Sequence, residues 1–202
     1  MGYARAGFEV VGVDIKPQPN YPFEFVQGDA VLAAGSDWAK REFDAIHASP
    51  PCQRYTTLAK QSQQADKHPD LVAATRHRLQ ESGLPWIIEN VPGAPLEAPL
   101  MLCGTMFPGL RVIRHRHFET SFYALNPLSH GKHPPIHFKH GNRIKEGTNE
   151  WDDFLCVISG DRNDLNAIRD AIGCPWMTLK ECAQAIPPAY TEHIGLHLIE
   201  HL

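Results

Sequence analysis

At 202 residues, with 43% apolar and 21% charged side chains, the chain is long enough for one ordinary domain with a buried core, residues 1–202, and too apolar to be disordered. It has no run of about 18 apolar residues and no basic, then apolar, leader, and its five cysteines lack a framework spacing, so a membrane-free, reducing cytoplasmic setting is expected. The net charge of −4 hides an asymmetry: seven Lys/Arg against one acid between residues 111 and 145, with half of the 12 histidines in the same window, mark a candidate polyanion face.

In chain order, residues 1–7 look like the interior of a helix. Phe8 to Ile15 reads as a buried strand ending in an acid, Asp14, and Phe25 to Asp29 repeats that pattern. Phe43 to Ser49 is a third strand, closed by Pro50-Pro51, whose missing amide hydrogens cannot continue a ladder. Asp70 can cap a helix running to about Glu81, with Gly83 as its stop, and Trp86 to Val91 is then another strand. Leu110 to Thr120 alternates enough for a strand or hairpin arm, and Phe154 to Ser159 for one more. Between them, 121–153 is rich in Pro, Gly, His and Asn and has no helical period, so it is expected to be an irregular basic insert. Asp164 caps a stripe of Leu165, Ile168 and Ile172 that stops at Gly173. Thr178 to Glu181 fits a capping box, and a last helix after Pro187-Pro188 carries Ile194, Leu198, Ile199 and Leu202 on one face. Strands alternating with helices predict an α/β fold, a sheet with helices on both faces.

Two strand ends carry chemistry. Ser49-Pro50-Pro51-Cys52-Gln53 sets a thiol on a loop at the C-terminal end of a strand, the edge where open α/β sheets bind ligands. A free cysteine more often packs as a small hydrophobe, as expected of Cys103, Cys156, Cys174 and Cys182. Glu89-Asn90-Val91 ends a second strand; if the two are neighbours, a thiol and a carboxyl face one pocket. Otherwise Glu89 is an exposed strand-end acid.

Pro51-Cys52-Gln53, Glu89-Asn90-Val91, Arg114-His115-Arg116 and Gln184-Ala185-Ile186-Pro187-Pro188, in that order across most of the chain, resemble the motifs of the DNA (cytosine-5) methyltransferases. The likeness is strongest to the short phage and bacterial members. It implies a Rossmann-like S-adenosylmethionine-dependent fold and transfer of a methyl group to carbon 5 of cytosine in double-stranded DNA. Carbon 5 is a poor nucleophile, so a thiolate must first add to carbon 6, and the resemblance gives that role to Cys52. Since a free thiol has a pKa of about 8.5, the site must assist ionisation, for which Arg114 and Arg116 are available. Glu89 would serve ring atom N3, Arg116 would donate to O2 and orient Glu89, and Asn90 would hold the loop. The target base must leave the duplex, at a cost of a few kcal/mol recovered through pocket and backbone contacts. The insert at 121–153 would face DNA, and its shortness implies a very small target-recognition region. No obligate protein partner is implied.

For the cofactor, the resemblance implies that Asp14 accepts from ribose hydroxyls, Ile15 packs on adenine and Asp29 accepts from the adenine amino group, with Ala30, Pro51, Gln184 and Ile186 completing the site. Either aspartate could instead simply cap the turn or helix that follows it. The family's glycine loop, and the strand before it, would lie upstream of Gly2 to Gly7. A gap is therefore expected between the Asp14 and Cys52 strands, whether from a late start, a remnant without activity or a replacement strand. Two other functions compete: a DNA-binding remnant without catalysis, and a thiol hydrolase pairing Cys52 with His47 or His68. His130, His133, His137 and His140 have spacings that invite zinc, but Pro134-Pro135 breaks the required helix and no cysteine lies nearby to complete a structural site, so no metal is expected.

Overall fold

The computed structural model describes residues 1–56, 63, 65–131, 133 and 165–202, and the backbone of 138–139 and 142–143. Helix α1 (Gly2–Arg5) ends at Gly7, whose φ of 105° lets the Phe8 amide turn back to the carbonyl of Tyr3, so strand β1 starts late and spans Val11–Asp14. The parallel strand β2 (Glu24–Gln27) stops short of Asp29, because the Asp29 carboxylate accepts from the amides of Val31 and Leu32 and caps α2 (Ala30–Ala34). A second short helix, α3 (Asp37–Glu42), is capped by Ser36; neither helix is foreseen from the sequence. Phe43 closes α3, which shortens the next strand, β3, to Ile46–Ala48.

Helix α4 (Val72–Ser82) forms where expected and ends at Gly83, φ 72°, but its N-cap is Leu71 rather than Asp70, which accepts from the Val72 amide at 3.3 Å from one residue further out. Strand β4 (Trp86–Asn90) follows, then β5 (Leu100–Leu102), whose three residues between Pro99 and the Cys103 turn are too few to show a period. The arm expected over Leu110–Thr120 is a strand, β6, only from Arg116 to Thr120; its first half is irregular although Val112 and Ile113 are buried. Within the insert, β7 (Phe138–Lys139) and β8 (Asn142–Arg143) form a two-residue antiparallel pair in a span expected to be irregular. The strand expected at 154–159, together with Cys156, Asp164, His137 and His140, lies outside the described residues.

Helix α5 (Leu165–Ile172) ends at Gly173, and α6 (Leu179–Gln184) begins with the predicted box, Thr178 and Glu181 each accepting from the other's amide. The last helix, α7 (Pro188–His201), buries Tyr190, Ile194 and Leu198 at a spacing of four. Ile199, expected on that face, falls one position past the buried stripe and is 47% exposed, and Leu202, in register with the stripe, lies beyond the last helical residue and is 59% exposed.

β1 and β2 form a two-stranded parallel sheet, and β3-β4-β6-β5 a four-stranded one in which β3 and β4 are parallel and β6 runs against both neighbours. Among the described residues no ladder joins β1 to β3, where the break between the Asp14 and Cys52 strands was expected. Side chains alternate across β4. Ile87 packs with Phe118 against Tyr190, Ile194 and Leu198 of α7, whereas Ile88 packs against Leu79 of α4 and Ala34 of α2. Helices thus cover both faces of a small mixed sheet, an α/β arrangement. On the α4 side, Arg76 holds Glu119 of β6 with two bonds of 2.6 and 2.7 Å. On the α7 side, α1 docks so closely that a Cβ on Gly2 would stand 2.1 Å from the carbonyl oxygen of Pro188.

Candidate active site

The C-terminal ends of β3, β4 and β5 and the start of the reversed β6 share one sheet edge, since Ala48 lies opposite Ile88, Asn90 opposite His117 and Leu102 opposite Arg116. This places the loop Ser49 to Cys52 beside Glu89 and Asn90. Two bonds fix the join. Ser49 hydrogen-bonds Glu89, and the buried Asn90 amide donates to the carbonyl of Pro50 at 2.9 Å. Cys52, half-buried, caps a turn of 3-10 helix, Gln53–Tyr55, whose Tyr55 amide bonds the Cys52 carbonyl at 2.9 Å. Tyr55 in turn donates its hydroxyl to Asp70, and Arg54 pairs with Asp66 at 3.0 Å, so the turn is tied to the approach to α4.

Glu89 is buried, and Arg116 Nε lies 2.9 Å from its Oε1. The pair forms because Glu89 sits opposite Phe118 on β4 and β6, so Arg116, two residues earlier on the same face, reaches it diagonally. Burial pushes the Glu89 carboxyl above its ordinary range, only partly offset by Arg116, the Ser49 bond and Arg114. A buried acid biased toward its protonated form beside a fixed guanidinium can hand a proton to, or hold one against, a planar heterocycle. Arg114 is buried elsewhere: its Nη2 donates to the carbonyl of Ala183 in α6 at 2.7 Å, and it acts on Glu89 through its charge.

Behind Glu89 runs a hydrogen-bonded chain that sequence reasoning missed. Ser49 Oγ lies 3.0 Å from His47 Nε2, and His47 Nδ1 lies 2.6 Å from the Tyr3 hydroxyl. Burial lowers the His47 pKa to about 4, so its ring is neutral. With both nitrogens engaged by Tyr3 and Ser49, His47 is not set up as a base for Cys52. His68 contributes its carbonyl, to Arg54 at 3.1 Å.

The residues expected at the cofactor divide. Asp14 ends β1 but spends its oxygens locally, on the Lys16 amide at 2.8 Å and the Gln18 side chain at 3.1 Å. Asp29 caps α2, the simpler of its two readings, and Ala30 is exposed within that first turn. Ile15 is 67% exposed at the end of β1, an apolar side chain free to pack on a flat ligand. Pro51 and Gln184 are exposed, and Ile186 is half-buried against the core on the α7 side. Asn20, in the turn after Asp14, donates to Glu181 at 3.0 Å and ties α6, which carries Gln184, to the β1 turn.

Cys103, Cys174 and Cys182 are buried, as expected. The expectation that no cysteine approaches the histidines is corrected: Cys103, His115, His130 and His133 converge beside Arg116. Of that cluster only the His130–His133 spacing is a local sequence signal; Cys103 and His115, like the Tyr3 chain, arrive from separate elements and carry none. A separate concavity of about 470 Å³, lined by Leu100, Thr120, Tyr123 and Asn126 among others, opens at the opposite end of the β5–β6 ladder. Among the described residues no helix is long and apolar enough to cross a membrane. No protein-family model matches the chain, and no curated protein is similar to it.

Proposed function

We propose that the protein transfers a methyl group from S-adenosylmethionine to carbon 5 of cytosine in DNA, on a Rossmann-like methyltransferase fold. The observation that carries this reading is the buried Glu89–Arg116 pair, 2.9 Å apart, at the strand edge to which Asn90 fastens the loop that precedes Cys52. In the reaction the Cys52 thiolate adds to carbon 6, and the charge this drives onto the ring is met by a proton at N3 from Glu89 and a donor at O2 from Arg116. Carbon 5 would then take the methyl group, leaving S-adenosylhomocysteine, with the N3 proton returned to Glu89, and loss of the carbon 5 proton to solvent with expulsion of the Cys52 thiolate would release the product. The cofactor supplies the methyl group; Ile15 offers the apolar surface for its base and the region of Asp14 and Gln184 its polar contacts. The basic stretch from Arg111 to Lys145 supplies phosphate contacts that offset the cost of extruding the base.

The test is incubation with S-adenosylmethionine and duplex DNA carrying 5-fluorocytosine, in which the carbon 5 substituent cannot leave. The expected result is a denaturation-resistant protein–DNA adduct that Cys52→Ser abolishes. An adduct that survives Cys52→Ser, or DNA binding with no adduct at all, refutes methyl transfer by this route. The second reading, a DNA-binding protein without catalysis, is favoured by the local use of the Asp14 and Asp29 carboxylates. It predicts salt-dependent DNA binding indifferent to Cys52→Ser and no binding of S-adenosylmethionine.

A further inference from the structure

We infer that Cys103, His115, His130 and His133 bind one zinc ion. Leu102 pairs with Arg116 across β5 and β6, so the next residue of one strand, Cys103, and the preceding residue of the other, His115, leave the sheet side by side. His130 and His133, separated by two residues, reach the same point from the segment after β6. The Nε2 atom of His115 lies 3.1 Å from that of His130 and 3.2 Å from that of His133, and Cys103 Sγ lies 3.8 Å from His133 Nε2. One ligand atom from each of the four residues lies within 4.8 Å of all the others.

These spacings match tetrahedral coordination. With zinc bonds of about 2.05 Å to nitrogen and about 2.3 Å to sulfur, ligand atoms stand about 3.3 Å apart for two nitrogens and about 3.6 Å for nitrogen and sulfur. Three of the six pairs, at 3.1, 3.2 and 3.8 Å, fall within a few tenths of an ångström of those values, and all six lie within 4.8 Å. Hydrogen bonding alone explains the cluster poorly: an imidazole nitrogen carries one hydrogen or one lone pair, so His115 Nε2 cannot bond well to two neighbouring rings at once. The rings of His115 and His133 are stacked at 24°, and that of His130 stands at 64° and 79° to them, so the three fan around a common point.

The donor set suits a cation: three imidazoles, which ligate in the neutral form, and one thiol, which ligates as the thiolate. On binding, the thiol proton passes to solvent, each imidazole keeps its proton on Nδ1, and ion plus thiolate carry one net positive charge. A thiolate with three imidazoles selects zinc over magnesium or calcium, and four protein ligands leave no open position, so the ion fastens rather than hydrolyses. What it fastens is the segment after β6, held to the sheet edge beside Arg114 and Arg116, which flank His115.

The full 202-residue chain, purified without chelators, is assayed for metal, then stripped and titrated with cobalt(II). About one zinc per chain is expected. Cobalt is expected to give intense tetrahedral bands and a thiolate-to-cobalt charge-transfer band, both displaced by zinc. Cys103→Ser removes the charge-transfer band and Cys52→Ser keeps it. His130→Ala, at a half-exposed loop position that leaves the core intact, weakens zinc binding by more than about tenfold, which decides the matter if Cys103→Ser fails to fold. A chain isolated without metal that gives only weak six-coordinate cobalt bands overturns the proposal. So does a charge-transfer band that survives Cys103→Ser or vanishes in Cys52→Ser.

Discussion

Replacing the two partners of the Glu89–Arg116 pair in turn should have unequal consequences for stability. Both side chains are largely buried, 8% and 14% exposed, with 2.9 Å between Nε and Oε1. Arg116→Met leaves a carboxylate in the sheet edge without its cation, a change that costs about 3–5 kcal/mol. In a chain of this length each kcal/mol moves the melting temperature by about 2–4 °C, so a fall of about 6–20 °C is expected at pH 7. Glu89→Gln keeps the shape and an acceptor oxygen for Arg116, whose guanidinium is also held by the His115 carbonyl at 2.8 Å, and should cost less, about 1–3 kcal/mol. The pH dependence carries the same logic. Because burial raises the folded-state pKa of Glu89, the folded chain binds this proton more tightly than the unfolded chain does. Its penalty is absent at low pH and grows as pH rises from the usual glutamate range through the raised value, and Glu89→Gln should erase that loss. Thermal and urea unfolding between pH 4 and 8 measure both effects. If Arg116→Met melts with the parent while Glu89→Gln is the costly change, the electrostatic account of this pair is wrong.

Asn90→Ala deprives the Pro50 carbonyl of its buried donor and should cost about 1–3 kcal/mol, with faster amide exchange in the loop around Cys52 as the specific readout. His47, held at about 4, should show no ring titration by NMR near neutral pH. Since the unfolded chain takes that proton near pH 6.5, its share of stability is full above that value and lost as pH falls toward about 4, and His47→Gln should flatten this part of the acid limb. Gly2→Ala forces a methyl group to within 2.1 Å of the Pro188 carbonyl oxygen and should destabilise by about 1–3 kcal/mol in denaturant unfolding. An unchanged midpoint would mean that α1 is not docked on α7 as described.

What was legible in the sequence was local. The Gly83 and Gly173 stops, the Thr178–Glu181 box and the Trp86 strand each rest on a few adjacent residues whose chemistry decides the outcome. Strand ends went wrong where a competing bond was available: Asp29 reads as the end of a strand until its carboxylate is seen to cap α2. β5 was invisible because three residues hold no period, yet its pairing with β6 carries Cys103 to His115. The meeting of the Cys52 loop with Glu89 was a conditional statement about neighbouring strands, and the β3–β4 ladder met the condition. The spacing of His130 and His133 was visible, but their partners arrive from two other elements, which no window along the chain displays.

The reversed direction of β6 gives the chain after it a fixed itinerary. It leaves the sheet at Thr120, on the far rim, yet His130 and His133 stand at the near rim, so the intervening residues must travel back along the flank of the sheet, roughly the 17 Å of a five-residue strand. His193 of α7 grips this overpass midway, at the carbonyl of Leu125, with a bond of 2.6 Å. Tyr123, Leu125 and Leu128 ride along it turned toward solvent, 81%, 51% and 53% exposed. The span therefore behaves as a girder seated on three piers rather than a free-hanging loop, and because ten residues can reach about 33 Å, about twice the distance covered, it carries slack between its seats.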